Sequence, residues 1–93
     1  MTPEGEIEAY LKRRVLAEGG TLRKVRWLDR NGAPDRIIWW PGPRMAFVEV
    51  KAFGKKPSAL QSLEHARMRG AGFEVFVIDS GSAVENFIRH MTT

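Results

Sequence analysis

Two short apolar runs, Arg36 to Trp40 and Met45 to Lys51, stand on either side of Pro41-Gly42-Pro43. This break constrains the chain more than any other feature. Proline fixes φ and removes a backbone donor, and glycine admits conformations other residues avoid, so the chain must turn there. Short apolar runs bounded by turn residues read as strands, and strands joined so closely pair antiparallel. The pattern therefore predicts a hairpin.

Around the hairpin the period changes. Ile7, Tyr10, Leu11 and Val15, with Leu16 on the flank, recur at helical spacing within Glu4 to Glu18, and Gly19-Gly20 supplies a stop. Thr21 to Leu28 is rich in β-branched, aromatic and basic residues and runs into the turn signal Asp29-Arg30-Asn31-Gly32, so it reads as a first strand. Ser58 is a candidate N-cap for a second helix carrying Leu60, Leu63 and Met68 and ending at Gly70 or Gly72. Phe73 to Ile78 has the apolar continuity of a buried strand, and after Ser80 to Ser82 the residues Val84, Phe87, Ile88 and Met91 return to helical spacing. The expected order is α-β-β-β-α-β-α. The stretch from the third strand through the second helix has the length of a crossover, which places the fourth strand parallel to the third. The class is α/β, with a mixed central sheet flanked by helices, and 93 residues suffice for one core, so a single domain over residues 1–93 is expected.

Lys and Arg outnumber Asp and Glu by 15 to 11, a formal charge of +4, which favours encounter with a polyanion such as nucleic acid. The absence of cysteine removes disulfides and thiolate metal sites and fits an intracellular setting. No apolar stretch approaches the length a bilayer requires, and Met1 to Glu8 is acidic without an apolar signal core. The expectation is a soluble, cytoplasmic protein with no membrane partner.

Glu49 and Lys51 are two apart on a predicted strand and share a face, while Val48 and Val50 point the other way. Asp35 follows Pro34 at the entry to the strand that pairs with this one, so its carboxylate can approach Glu49 at one end of the sheet. Singly, each has a bland explanation: an Asp in a Pro-Asp turn bonds the turn, and Glu-x-Lys on a strand is a solvated face. Jointly they offer two carboxylates and an ammonium. Magnesium and similar hard cations bind to such carboxylates plus waters, and the Val50 carbonyl is a further candidate ligand. A cation there suits phosphodiester hydrolysis, with Lys51 orienting the attacking water or stabilising the phosphorane.

Gly32-Ala33-Pro34-Asp35-Arg36, then Phe47-Val48-Glu49-Val50-Lys51, then Gln61 early in the next helix, together resemble the VRR-NUC family of the PD-(D/E)XK nuclease superfamily, phage and bacterial type. The resemblance implies a restriction-endonuclease-like core and a Mg2+- or Mn2+-dependent DNA endonuclease. It makes Asp35 and Glu49 metal ligands, Lys51 the catalytic lysine, Gln61 a supporting residue and Glu4 the acid of the first helix, with Glu8 one turn on as the fallback. Gln61 also completes a capping box with Ser58, a competing structural role. Stand-alone relatives of this kind imply a homodimer acting on branched DNA, with a four-way (Holliday) junction as the substrate; a nuclease-fold DNA-binding or assembly module without turnover is the alternative. Arg36, Arg44, Lys55 and Lys56, with Arg23, Lys24 and Arg26, are candidate phosphate contacts. Of Trp39 and Trp40, adjacent on a strand, one is expected in the core; His65 and His90 are read as structural or exposed.

Overall fold

In the computed structural model, which describes residues 1–93, the chain runs α1 (Pro3–Ala17), β1 (Thr21–Lys24), β2 (Arg36–Trp40), β3 (Arg44–Val50), α2 (Ala59–Gly70), β4 (Val75–Ile78) and α3 (Gly81–Thr92). The expected element order and mixed sheet are both present. The strands lie in the order β1-β2-β3-β4; β1, β2 and β3 pair antiparallel, and α2 returns the chain so that β4 lies parallel to β3. Each helix begins on a hydroxyl that satisfies a free backbone donor: Thr2 accepts from Gly5 N–H, Ser58 from Gln61 N–H and Ser80 from Ala83 N–H.

Alternation along the strands sends Ile38, Trp40, Ala46, Val48, Val50 and Ile78 to one face. There they meet Leu11 and Val15 of α1 and Val84, Phe87, Ile88 and Met91 of α3 in one cluster. Fully burying each such side chain contributes roughly 1.5–3 kcal/mol, so this face carries the stability of the fold. Trp40 is the inward tryptophan, tilted against Phe87 with its Nε1–H donating to the Glu18 carbonyl. Trp39 points away and lies under the Arg23 guanidinium.

Three expectations need correction. The first strand stops at Lys24, because its partner β2 begins at Arg36; beyond that pair only Val25 N–H reaches the ladder, at the Asp35 carbonyl. Phe73 precedes β4 and lies edge-on against Phe47 on the second sheet face. The face of α2 is inverted: Leu60 and Leu63 are 51% and 49% exposed, while Glu64 and His65 are buried. The helix packs against β4 and beside the 25–34 loop, where Arg30 pairs with Glu64, so its inward residues are Gln61, Glu64, His65 and the half-buried Met68.

Glu85 ties α3 to α1. Its carboxylate accepts from Tyr10 Oη and from Arg14 Nε at 2.8 Å, and these bonds, Arg14 first, hold its carboxyl down at about 2. A depressed acid stabilises the fold above the ordinary carboxylate range and loses that contribution as pH falls through the depressed value. The stability deficit of Glu85→Gln in urea unfolding should therefore be full near neutrality and shrink toward pH 2. A deficit independent of pH would rule out the ion pair as its source.

Candidate active site

The β2–β3 register pairs Arg36 with Val48. Continued one step, it sets Asp35 opposite Glu49, and continued two steps, Pro34 opposite Val50. Backbone groups of alternate residues point to alternate sides of a strand. Phe47 and Lys51 donate toward β4, at the Glu74 and Ile78 carbonyls, so the polar groups of Val50 face the β2 side. There the opposing residue is a proline with no N–H. None of the backbone bonds outside the elements reaches the Val50 carbonyl. Pro34, fully buried, instead uses its own carbonyl to accept from Trp27 Nε1–H at 2.9 Å.

Glu49 is 8% exposed, and its carboxylate accepts no hydrogen bond from the protein; its ionic partner is Lys51, Nζ to Oε2 at 4.0 Å. Burial raises the Glu49 carboxyl above the usual range and the Asp35 charge raises it further, against the Lys51 and Arg36 charges. Two like carboxylates at one corner, one of them buried, are a donor set short of positive charge. No three acidic or histidine side chains cluster as a ready-made cage. Two carboxylates plus an open main-chain oxygen suit a hard cation that keeps several waters, as magnesium does.

Glu4 and Glu8, one turn apart on α1, take different positions. The Glu4 charge is felt at Glu49, as the weakest of its influences, but Glu4 stands outside the carboxylate pair. Glu8 is engaged elsewhere: its Oε1 lies 2.7 Å from Arg36 Nη2 and accepts from Arg36 Nε at 3.0 Å. Arg36 also meets Asp35, Nη1 to Oδ1 at 2.6 Å. Arg36, expected among the DNA contacts, is thus only 5% exposed and is paired with two carboxylates, unlike the exposed Lys55 and Lys56. Burial opposes its charge, but the Glu8 and Asp35 carboxylates outweigh that and keep the guanidinium protonated.

Gln61 makes the capping box, its Oε1 accepting from Ser58 N–H at 2.9 Å. That bond uses only the amide oxygen and leaves both N–H donors free, so the cap does not preclude a second role. Gly32, at φ +87, brings the Pro-Asp turn against α2: a Cβ there would lie 2.8 Å from the Leu60 carbonyl oxygen. His65 is 1% exposed with Nε2 unpartnered, and burial, then the Arg69 and Lys51 charges, lower its pKa. Lys55 and Lys56 lie exposed on the loop after Lys51. Arg44 opens β3 at the far end, about 17 Å from Glu49 at strand rise, and is paired with Glu74 beside His90, so the structure separates it from the carboxylates.

Sequence reasoning missed the Glu8–Arg36 clamp and the consequence of Pro34. The strand register, once known, was signal enough for the second. An acid one turn from Glu4 was visible, but nothing showed which of the two would face Arg36.

No family model matches the sequence. The chain is 42% identical over 77 residues, 83% of each protein, to "Putative nuclease p44" of Acyrthosiphon pisum secondary endosymbiont phage 1. A solved structure described as a VRR_NUC domain superposes with a TM-score of 0.90 at 41% identity, covering 97% of this chain and 98% of the other. The architecture is accordingly that of a restriction-endonuclease-like α/β fold. With this identity along almost its whole length, the chain belongs to the VRR-NUC family.

Arg36→Met should cost roughly 1–3 kcal/mol in chemical denaturation, because Glu8 and Asp35 lose a charged donor but stay partly open to water. It should leave the salt dependence of DNA affinity unchanged, whereas losing a true phosphate contact lowers that slope by about 0.9. A reduced slope would return Arg36 to the DNA interface.

Proposed function

We propose that residues 1–93 form a single metal-dependent DNA endonuclease domain that hydrolyses phosphodiester bonds in branched DNA, with a four-way junction as substrate and Mg2+ or Mn2+ as cofactor. The observation that carries this reading is the meeting of the Asp35 and Glu49 carboxylates with the free Val50 carbonyl at the corner where Lys51 also lies. Asp35, Glu49 and the Val50 carbonyl would hold the cation, which when bound polarises the scissile phosphate and makes water a better nucleophile.

The side chains supply the rest. Glu49 would hold the ion in its ionised form, which burial and the Asp35 charge disfavour in the free protein. Arg36 keeps one oxygen of Asp35 occupied and so fixes the direction of the other. Lys51, steadied by Glu49, presents an ammonium to the charge that builds on the phosphoryl oxygens or orients the attacking water. The free Gln61 amide donors can bond the same water or phosphate, and Glu4 adds negative potential at Glu49. Lys55 and Lys56 meet the flanking phosphates.

One site cuts one strand, so paired cuts across a junction need two copies. The exposed Leu28, Leu60, Leu63 and Phe73 supply apolar surface for a homodimer. No helix is long and apolar enough to cross a membrane, and the setting we propose is the cytoplasm.

The test is cleavage of four-way junction, flap and linear DNA with Mg2+, Mn2+ or EDTA, with sedimentation for the oligomer. Junction cutting should need the metal. Asp35→Asn and Glu49→Gln should abolish it, and Lys51→Met should slow it about 10²–10³-fold. Protein that binds DNA but cuts no substrate with either metal would overturn the enzyme in favour of a binding module; cutting that survives Asp35→Asn would overturn the site.

A further inference from the structure

Immediately after Lys51 the chain makes a hydrogen-bonded turn, Ala52-Phe53-Gly54-Lys55, closed by Lys55 N–H to the Ala52 carbonyl at 2.9 Å. Gly54, third in the turn, has φ +79, the left-handed value a type II turn requires at that position. Phe53 occupies the second position, at the tip, and is 79% exposed.

A phenyl ring in water forfeits apolar burial, and this fold had alternatives for its rings. Trp27, Phe47 and Phe73 meet tilted and edge-on in a row on the second sheet face, and Phe76 and Phe87 meet at the core. Phe53 joins neither group. The closed turn fixes its backbone at the tip, so the ring projects into solvent. The surroundings define what it suits. Lys51 lies two residues before it, at most about 7 Å along the chain, and Lys55 and Lys56 follow directly, both exposed. No acidic residue falls between Lys51 and Glu64. A flat apolar ring among cations, beside a phosphodiester site, matches a strand of nucleic acid with its bases unstacked: the ring takes a base face and the lysines take phosphates. In continuous duplex every base pair is stacked on both faces; in a junction opened at its branch point the end pair of each arm has one face free.

We propose that Phe53 is a stacking contact for the unpaired or splayed base at the branch point of DNA, and so selects branched over linear substrate. The proposal rests on the nuclease reading above and adds the part of the substrate that this loop reads.

The experiment measures binding with Ca2+ in place of Mg2+, using a four-way junction and a linear duplex of the same sequence, each carrying 2-aminopurine at the branch position. For wild type, junction binding should quench or shift the 2-aminopurine signal as its base stacks on the ring. Phe53→Ala should weaken junction affinity roughly 5- to 150-fold, lose the fluorescence change, and leave linear-duplex affinity within about twofold. Phe53→Trp should restore both. Melting temperature and sedimentation should match wild type in either variant, since the side chain is exposed. Equal junction affinity for wild type and Phe53→Ala overturns the proposal alone, as does a dimer that falls apart in Phe53→Ala with its junction preference intact. Wild type that binds neither DNA overturns the nuclease reading together with it.

Discussion

The pairing of Arg36 with Val48 decides what the rest of the molecule can do. A strand slipped by one residue would turn every side chain to the opposite face, sending Glu49 into the apolar cluster and Val48 and Val50 into the site. Burial of Ile38, Trp40, Val48 and Val50 against α1 and α3 resists that slip, since each would have to surrender its buried area. The same hydrophobic energy that stabilises the sheet therefore aims Asp35, Glu49 and Lys51. The apolar cluster and the candidate site occupy opposite faces of one strand, and neither can shift without the other.

Charge at the site corner follows a similar economy. Asp35 and Glu49 repel each other, and Glu49 is also desolvated, so the free protein holds them together against their electrostatics. Lys51 offsets part of this from one side and Arg36 from the other. Glu8 then balances Arg36, so the guanidinium can act on Asp35 without filling the site with positive charge. A cation entering the corner would relieve a strain that the fold has already taken on, and Glu8 fixes how much relief remains available.

Much of this was legible in the sequence, for a physical reason: period. Two-residue alternation in Phe47 to Lys51 and helical spacing in α1 and α3 reflect one apolar face each, so element order, hairpin and the shared face of Glu49 and Lys51 could all be read. Where a residue's place depends on its partner, reading failed. The first strand was drawn too long because its end is set by where β2 begins. The leucines of α2 mark an apolar stripe, yet the helix turns it to solvent and presents Glu64 and His65 inward, to a neighbour that is itself charged. Arg36 passed for a DNA contact because basic residues usually are surface; only the location of Glu8 and Asp35 reveals it as buried. The family resemblance supplied Gln61 and Glu4, whose roles no spacing could separate from a cap and a first-turn acid.

Pro34 shapes the strand end by subtraction. Any of the other amino acids at that position would bring an N–H to face the Val50 carbonyl, and the ladder could close one rung further, consuming an oxygen that now stands free. The residue would look unharmed by every usual measure: its burial, its turn and its neighbours could all persist. What would be lost is a vacancy on the main chain, written into the sequence as the one residue type that cannot fill it.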